Sequence, residues 1–269
     1  MNQQNNITKS YLKKELQNYE FIDNPEKLIK VIVLLSDITK KEGLLALEEY
    51  QKITNDKLLN ELLFLSLDGI DFDVIDKIIL NKTECITNQL KDFFKILTQG
   101  TESIIFENGQ YRSVAKKLYS IIGKNSCNVS FRNSASLPKW KKYKNDKPII
   151  NHKLLNKTKE EIVNLVSLDF RYDNLEKLIE LFVLLIEMIH YYKIEEIKKI
   201  IPIVKNKKLM LILKLICQKS EKSTIDSVIE NYQLQEEIKL KKYFYIMRAG
   251  IRLMINGEKG KIIMEVLKL

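Results

Sequence analysis

Apolar residues at Leu28, Ile32, Leu35 and Ile38 recur every three or four positions, the spacing of a helix with one buried side. Asp23-Asn24-Pro25 stands just ahead of them, and a cap residue followed by proline is how a helix prefers to begin. Asn55-Asp56 opens a second helix through Leu58, Leu59, Leu62, Leu63 and Leu65. Asp68-Gly69-Ile70-Asp71 then breaks the chain, and Asp71 is placed to cap a helix carrying Val74, Ile75, Ile78 and Ile79. Leu90 to Phe106 predicts another long helix, Asn108-Gly109-Gln110 a turn, and Tyr111 to Ile122 a closing helix.

The same order of signals returns further along. DNPEKLI at Asp23 to Ile29 recurs as DNLEKLI at Asp173 to Ile179, 150 positions later. VIVLLSDI (Val31 to Ile38) faces LFVLLIEM (Leu181 to Met188), and LKDFFKILTQG ending at Gly100 faces LKKYFYIMRAG ending at Gly250. The offset survives from the first helix to the last, which predicts a duplicated unit of about 100 residues. The expected organisation is a polar N-terminal segment at 1–22, a first helical repeat at 23–123, a basic linker at 124–160 and a divergent second repeat at 161–269. Each repeat is expected to hold four or five helices.

Composition supports an all-α fold. Only eight glycines and four prolines occur in 269 residues, which are 45% apolar, so tight corners are scarce and helix formers abound. The three cysteines, Cys85, Cys127 and Cys217, are far apart and form no CxxC, which suggests a reducing compartment and no zinc site. The N-terminal run MNQQNNITKSYLKKELQNYE is too polar for a signal peptide. The most apolar segment, Leu178 to Ile189, is too short to cross a bilayer and carries Glu180 and Glu187. A cytoplasmic location is therefore expected.

The formal charge of +10 is concentrated: between Lys124 and Glu160 ten lysines and arginines face two acids. Within that linker Lys139, Trp140, Lys141, Lys142, Tyr143 and Lys144 interleave cations with aromatic rings, a combination suited to single-stranded nucleic acid or an anionic membrane surface. An ordinary solvated linker has the same composition. No phosphate-binding glycine loop, calcium loop or nucleophile–base pattern is legible, and His152 and His190 have no identifiable partners for catalysis. His190 is expected to be a satisfied, partly buried histidine. No enzyme, cofactor or metal is expected.

Four pieces of the first half, in order, resemble the cytoplasmic region of the flagellar stator protein MotA. They are Pro25 to Glu49, Asn55 to Leu80, Phe94 to Ile104 and Asn108 to Ile122. The first resembles the family's cation-cation-Glu-Gly-Leu-Leu-Ala-Leu-Glu stretch, here Lys40 to Glu48; the second carries its Asp-Gly-x-Asp turn as Asp68, Gly69 and Asp71. The last keeps Arg112, Lys117, Leu118 and Ser120 of its closing signature, with Tyr111 where proline is usual and the glycine displaced to Gly109. The family places membrane helices before the first piece and between the second and third. Only short stretches stand there in this chain, so the resemblance implies the cytoplasmic module without the ion channel.

In that family a cation and an acid on the first piece meet opposite charges on the rotor switch protein. The resemblance therefore implies Lys40, with Lys41 beside it, and Glu48 as partner-binding residues, and a flagellar rotor or stator component as the partner at the inner-membrane face. On one continuous helix Lys41 and Glu48 would lie in line, roughly 10 Å apart along the axis. The alternative is local: Glu48 pairs with Lys52 four residues on and the lysines only solubilise the helix. In the second half His190, Tyr191 and Lys198 stand at the corresponding positions, so the charge pattern is not kept.

Overall fold

The computed structural model describes residues 2–106, 111–125, 161–168, 174–192 and 194–268. They are helical, with no strand among them. The elements are α1 (Asn2–Asn18), α2 (Pro25–Glu42), α3 (Glu48–Gln51), α4 (Lys57–Leu67), α5 (Phe72–Phe106), α6 (Tyr111–Asn125), α7 (161–166), α8 (Leu175–Tyr192), α9 (Glu195–Ile200), α10 (Lys207–Cys217), α11 (Lys222–Ile255) and α12 (Gly260–Leu267). No helix of the described residues is long and apolar enough to cross a membrane.

The chain divides into two compact units that differ from the two expected sequence modules. Unit 1 is Met1–Glu84 with Gln235–Leu269; unit 2 is Cys85–Leu234. Both boundaries fall inside a long helix, α5 or α11. Each unit therefore takes its closing helical segment from the other half of the chain.

In unit 1, α2 packs against α1 and α12, and α3 against α4. α2 begins where the Asn24 side chain accepts the Lys27 N–H at 3.3 Å and Pro25 fills the first helical position. Its Leu28, Val31, Ile32, Leu35 and Ile38 form the core face. The N-terminal segment, expected only to be polar, is α1: Leu12 and Leu16, four residues apart, are fully buried. α4 is capped by Asp56, and its end is closed by Gly69 at φ 71°, with Ile70 N–H bonded to Leu65 O at 3.1 Å. Asp71 then starts α5 as expected, its carboxylate accepting the Asp73 N–H at 2.8 Å. The C-terminal part of α11 brings Gly250 against Ile32, where a Cβ would stand 2.7 Å from a side-chain methyl.

In unit 2, α8 packs against α6 and α9, and α9 against α10. α8 and α10 start 150 residues after α2 and α4. Asn206 caps α10, and its end closes like that of α4, with Ser220 N–H on Leu215 O at 3.0 Å, but with Lys219 in the left-handed region at φ 57°. Gly100, on the second part of α5, lies against the ring of Phe182, where a Cβ would stand 2.5 Å from it.

One expected break is absent. The sequence signals predict separate helices before Leu80 and after Leu90, whereas α5 runs unbroken for 35 residues, about 50 Å. The intervening NKTECITNQ is polar but holds no glycine or proline, and polarity alone does not end a helix whose turns on either side are buried.

Candidate functional site

The stretch from Lys40 to Lys52 lies in unit 1 and is not one helix. α2 ends at Glu42 because Gly43 takes φ 85°, its N–H closing on Thr39 O at 2.9 Å. A 3₁₀ turn, Leu44–Leu47, follows, and only then the short α3. Lys41 and Glu48 thus belong to different elements, which corrects the expectation of two charges in line on a continuous helix. A glycine ahead of the leucines was a C-cap signal that the charge-and-leucine pattern obscured.

Two large side chains hold this edge down. Leu47 and Tyr50 are 0% exposed, and burial raises the Tyr50 hydroxyl above its ordinary range. Thr54 Oγ1 donates to Tyr50 O at 2.6 Å, and Asn60 ties Gln51 to the start of α4. Between these anchors Leu45 is 77% exposed. It sits over a shallow depression of about 330 Å³ lined by Glu42, Leu45, Ala46, Glu48, Glu49 and Lys52.

The surrounding charges sort into committed and presented groups. Glu42 pairs with Lys9 at 2.8 Å and Glu49 with Lys13 at 2.9 Å, fastening the edge to α1. The Lys13 ammonium beside Glu49 holds that carboxyl below its usual range. Lys40 is also committed: its ammonium donates to Gly257 O at 2.9 Å. Ser36 donates to Glu258 O at 2.7 Å and Asp37 accepts the Gly260 N–H at 3.0 Å, so three α2 side chains fix the turn before α12. Glu48 pairs with Lys52 at 2.7 Å, which holds its carboxyl below the usual range. Lys41 is exposed, with no ion pair among the described residues.

The structure therefore brings Glu48 and Lys52 together and leaves Lys41, Leu45 and the Glu48–Lys52 pair facing out, while Lys40 serves the fold. In unit 2, His190 is exposed at the end of α8 rather than partly buried, and Lys198 is exposed on α9. Helix α8 ends there with the apolar face already spent on Ile186 and Met188. Lys139, Trp140, Lys141, Lys142, Tyr143 and Lys144 lie outside the described residues.

Sequence reasoning missed the polar contacts that close unit 1. Asp56, almost fully buried, accepts Phe21 N–H at 2.8 Å, Leu59 N–H at 2.9 Å and Tyr243 O–H at 2.8 Å. Burial raises its carboxyl, and these three donors pull the other way. Asp76 accepts a two-pronged contact from Arg248, with Nη2 at 2.7 Å from Oδ2, which holds the carboxyl below its usual range. Neither pair shares a local motif, so no spacing signal could have found them.

Among the described residues no cluster of His, Cys, Asp or Glu could hold a metal ion. No protein-family model, curated protein or solved structure matches the chain.

Proposed function

We propose that the chain is a non-enzymatic, protein-binding helical scaffold made of two divergent copies of a stator-like cytoplasmic module, serving as a flagellar-motor accessory. The duplication is supported by the 150-residue offset between DNPEKLI and DNLEKLI and by helices that start in the same register. The motor assignment is supported by the four MotA-like pieces of the first half.

One observation carries the binding role: Leu45 stands 77% exposed on a turn anchored by fully buried Leu47 and Tyr50, with Glu42, Glu49 and the Glu48–Lys52 pair lining the depression beside it and exposed Lys41 at the end of α2. An apolar knob ringed by charges of both signs suits a facing helix with complementary charges. Each such exposed charge contact contributes about 0.2–1 kcal/mol and weakens with salt, which fits a surface that engages and releases. The partner is a rotor switch protein or a stator subunit, met at the cytoplasmic face of the inner membrane.

The test is capture of purified rotor switch protein and of stator subunits by the full chain and by a Leu45→Asp/Lys41→Glu/Glu48→Lys variant. Salt-sensitive capture by the parent, lost in the variant, is expected; no capture of either, or equal capture by both chains, contradicts the reading. A second reading rests on the cation–aromatic run from Lys139 to Lys144. It predicts that the triple variant still binds single-stranded RNA or anionic vesicles and that replacing Lys139, Lys141, Lys142 and Lys144 by alanine ends that binding.

A further inference from the structure

Each compact unit joins an N-terminal part from one half of the chain to a C-terminal part from the other, and at one position of these joints the residues are not interchangeable. In unit 1 the N-terminal part offers Glu26 and Asp76, and the C-terminal part answers with Lys242, 3.2 Å from Glu26, and with Arg248 on Asp76. Arg252 lies over the Phe72 ring at 5.5 Å. In unit 2 one pair has the opposite sense: Lys222 on the N-terminal part meets Glu102 on the C-terminal part at 2.5 Å.

The positions correspond through the same offset of 150, so this step rests on the reading of the chain as two copies. Phe72 and Arg252 correspond to Lys222 and Glu102; Lys242 and Arg248 correspond to Asp92 and Thr98. Were the first half to close on itself, Glu26 would face Asp92, Asp76 would face Thr98 and Phe72 would face Glu102. Every cation would be gone from that joint, although Asp92 is set opposite an acid in either closure, Glu26 or Glu176. Were the second half to close on itself, Glu176 and Asp226 would meet Lys242 and Arg248 just as Glu26 and Asp76 do, and the clash would be confined to Lys222, which would face Arg252. The steric contacts cannot choose, because glycine stands at both 100 and 250.

We infer that one position carries a pairing code: Lys222 accepts Glu102 of the first half and rejects Arg252 of its own, while Phe72 accepts Arg252 and would set its ring against Glu102 in self-closure. Like charges set opposite each other are an established way to exclude a wrong pairing. The two halves are in this sense each other's binding partners, a role separate from the Lys41–Lys52 edge.

Crossed rescue in the full chain tests the code. Arg248→Asp is expected to lower the melting midpoint by roughly 2–4 °C, the shift of a single modest interaction in a chain of this size. Adding Asp76→Arg restores it; adding Asp226→Arg, the residue Arg248 would face in self-closure, does not. In a second arm Glu102→Lys lowers the midpoint and Lys222→Glu restores it, whereas Phe72→Glu does not. Rescue by Asp226→Arg or Phe72→Glu, or by neither member of either pair, overturns the code. The steric pair Gly250→Ala with Ile32→Val is read alongside. Its rescue without charge rescue leaves the exchanged closure standing and the code refuted, and failure of both removes the exchange.

Discussion

The two compact units share an apolar plan and differ in their polar details. In both, a helix of 18 residues packs under a closing helix, a glycine admits a large side chain, and a paired aromatic motif, Phe93–Phe94 or Tyr243–Phe244, stands edge to face at 5.3 or 5.2 Å. Among the described residues unit 1 has a buried carboxylate with three donors, a two-pronged arginine and a glycine at its left-handed turn. Unit 2 has asparagine at the cap, phenylalanine in place of Tyr243 and lysine at the turn. The apolar plan is common to both units, whereas the polar pairs are particular to each. Unit 1 also carries the presented Leu45 edge.

The largest expected effect strikes the element both units share. Phe182→Ala empties the site that Gly100 was kept small to admit, and should cost about 3–5 kcal/mol in denaturant unfolding. Ile32→Ala, its counterpart in unit 1, should cost about 2–5 kcal/mol.

The caps should then separate the units. Asp56→Ala strands the Phe21 N–H and the Tyr243 hydroxyl as well as the α4 terminus, so a loss of about 1–3 kcal/mol is expected. Asn206→Ala removes the α10 cap, and the loss of a cap is worth about 1 kcal/mol. Equal losses would mean that the Phe21 and Tyr243 contacts together add nothing beyond the cap.

At the left-handed turns the signs should oppose. Lys219→Gly relieves a conformation that a side chain adopts at a cost and should stabilise by about 1 kcal/mol, whereas Gly69→Ala should destabilise by a similar amount. Thermal melts of the two variants check this directly.

The smallest effect concerns pH. Arg248 depresses the Asp76 carboxyl, so the folded value lies below the unfolded one. The contribution of the pair is therefore complete above about pH 3.9 and disappears as pH falls through the folded value. The midpoint difference between the parent and Arg248→Ala should stay constant from neutral pH to pH 5 and close in stronger acid. A gap that widens in acid contradicts the assignment.

Local chemistry was legible along the chain and long-range chemistry was not. The Asn24–Pro25 start of α2, the Asp71 start of α5 and the all-α class each follow from residues within one turn of one another. The continuity of α5 escaped because a polar stretch resembles a loop when its buried neighbours are unknown. Gly43 is a C-cap signal in the sequence, set among charges that read as one continuous helix face. The Asp56–Tyr243 and Asp76–Arg248 pairs span 187 and 172 residues; only the fold brings them together. Of the expected binding residues, Lys40 proved to hold the turn before α12, and Lys41 and Glu48 remain on the presented edge.

The exchanged closure itself is tested most directly by a steric double-mutant cycle at Gly100. Gly100→Ala should cost about 1–3 kcal/mol by overpacking. Combination with Phe182→Leu should recover most of that loss, while combination with Ile32→Val should be additive. Recovery with Ile32→Val and additivity with Phe182→Leu would mean that the first half of the chain closes on itself.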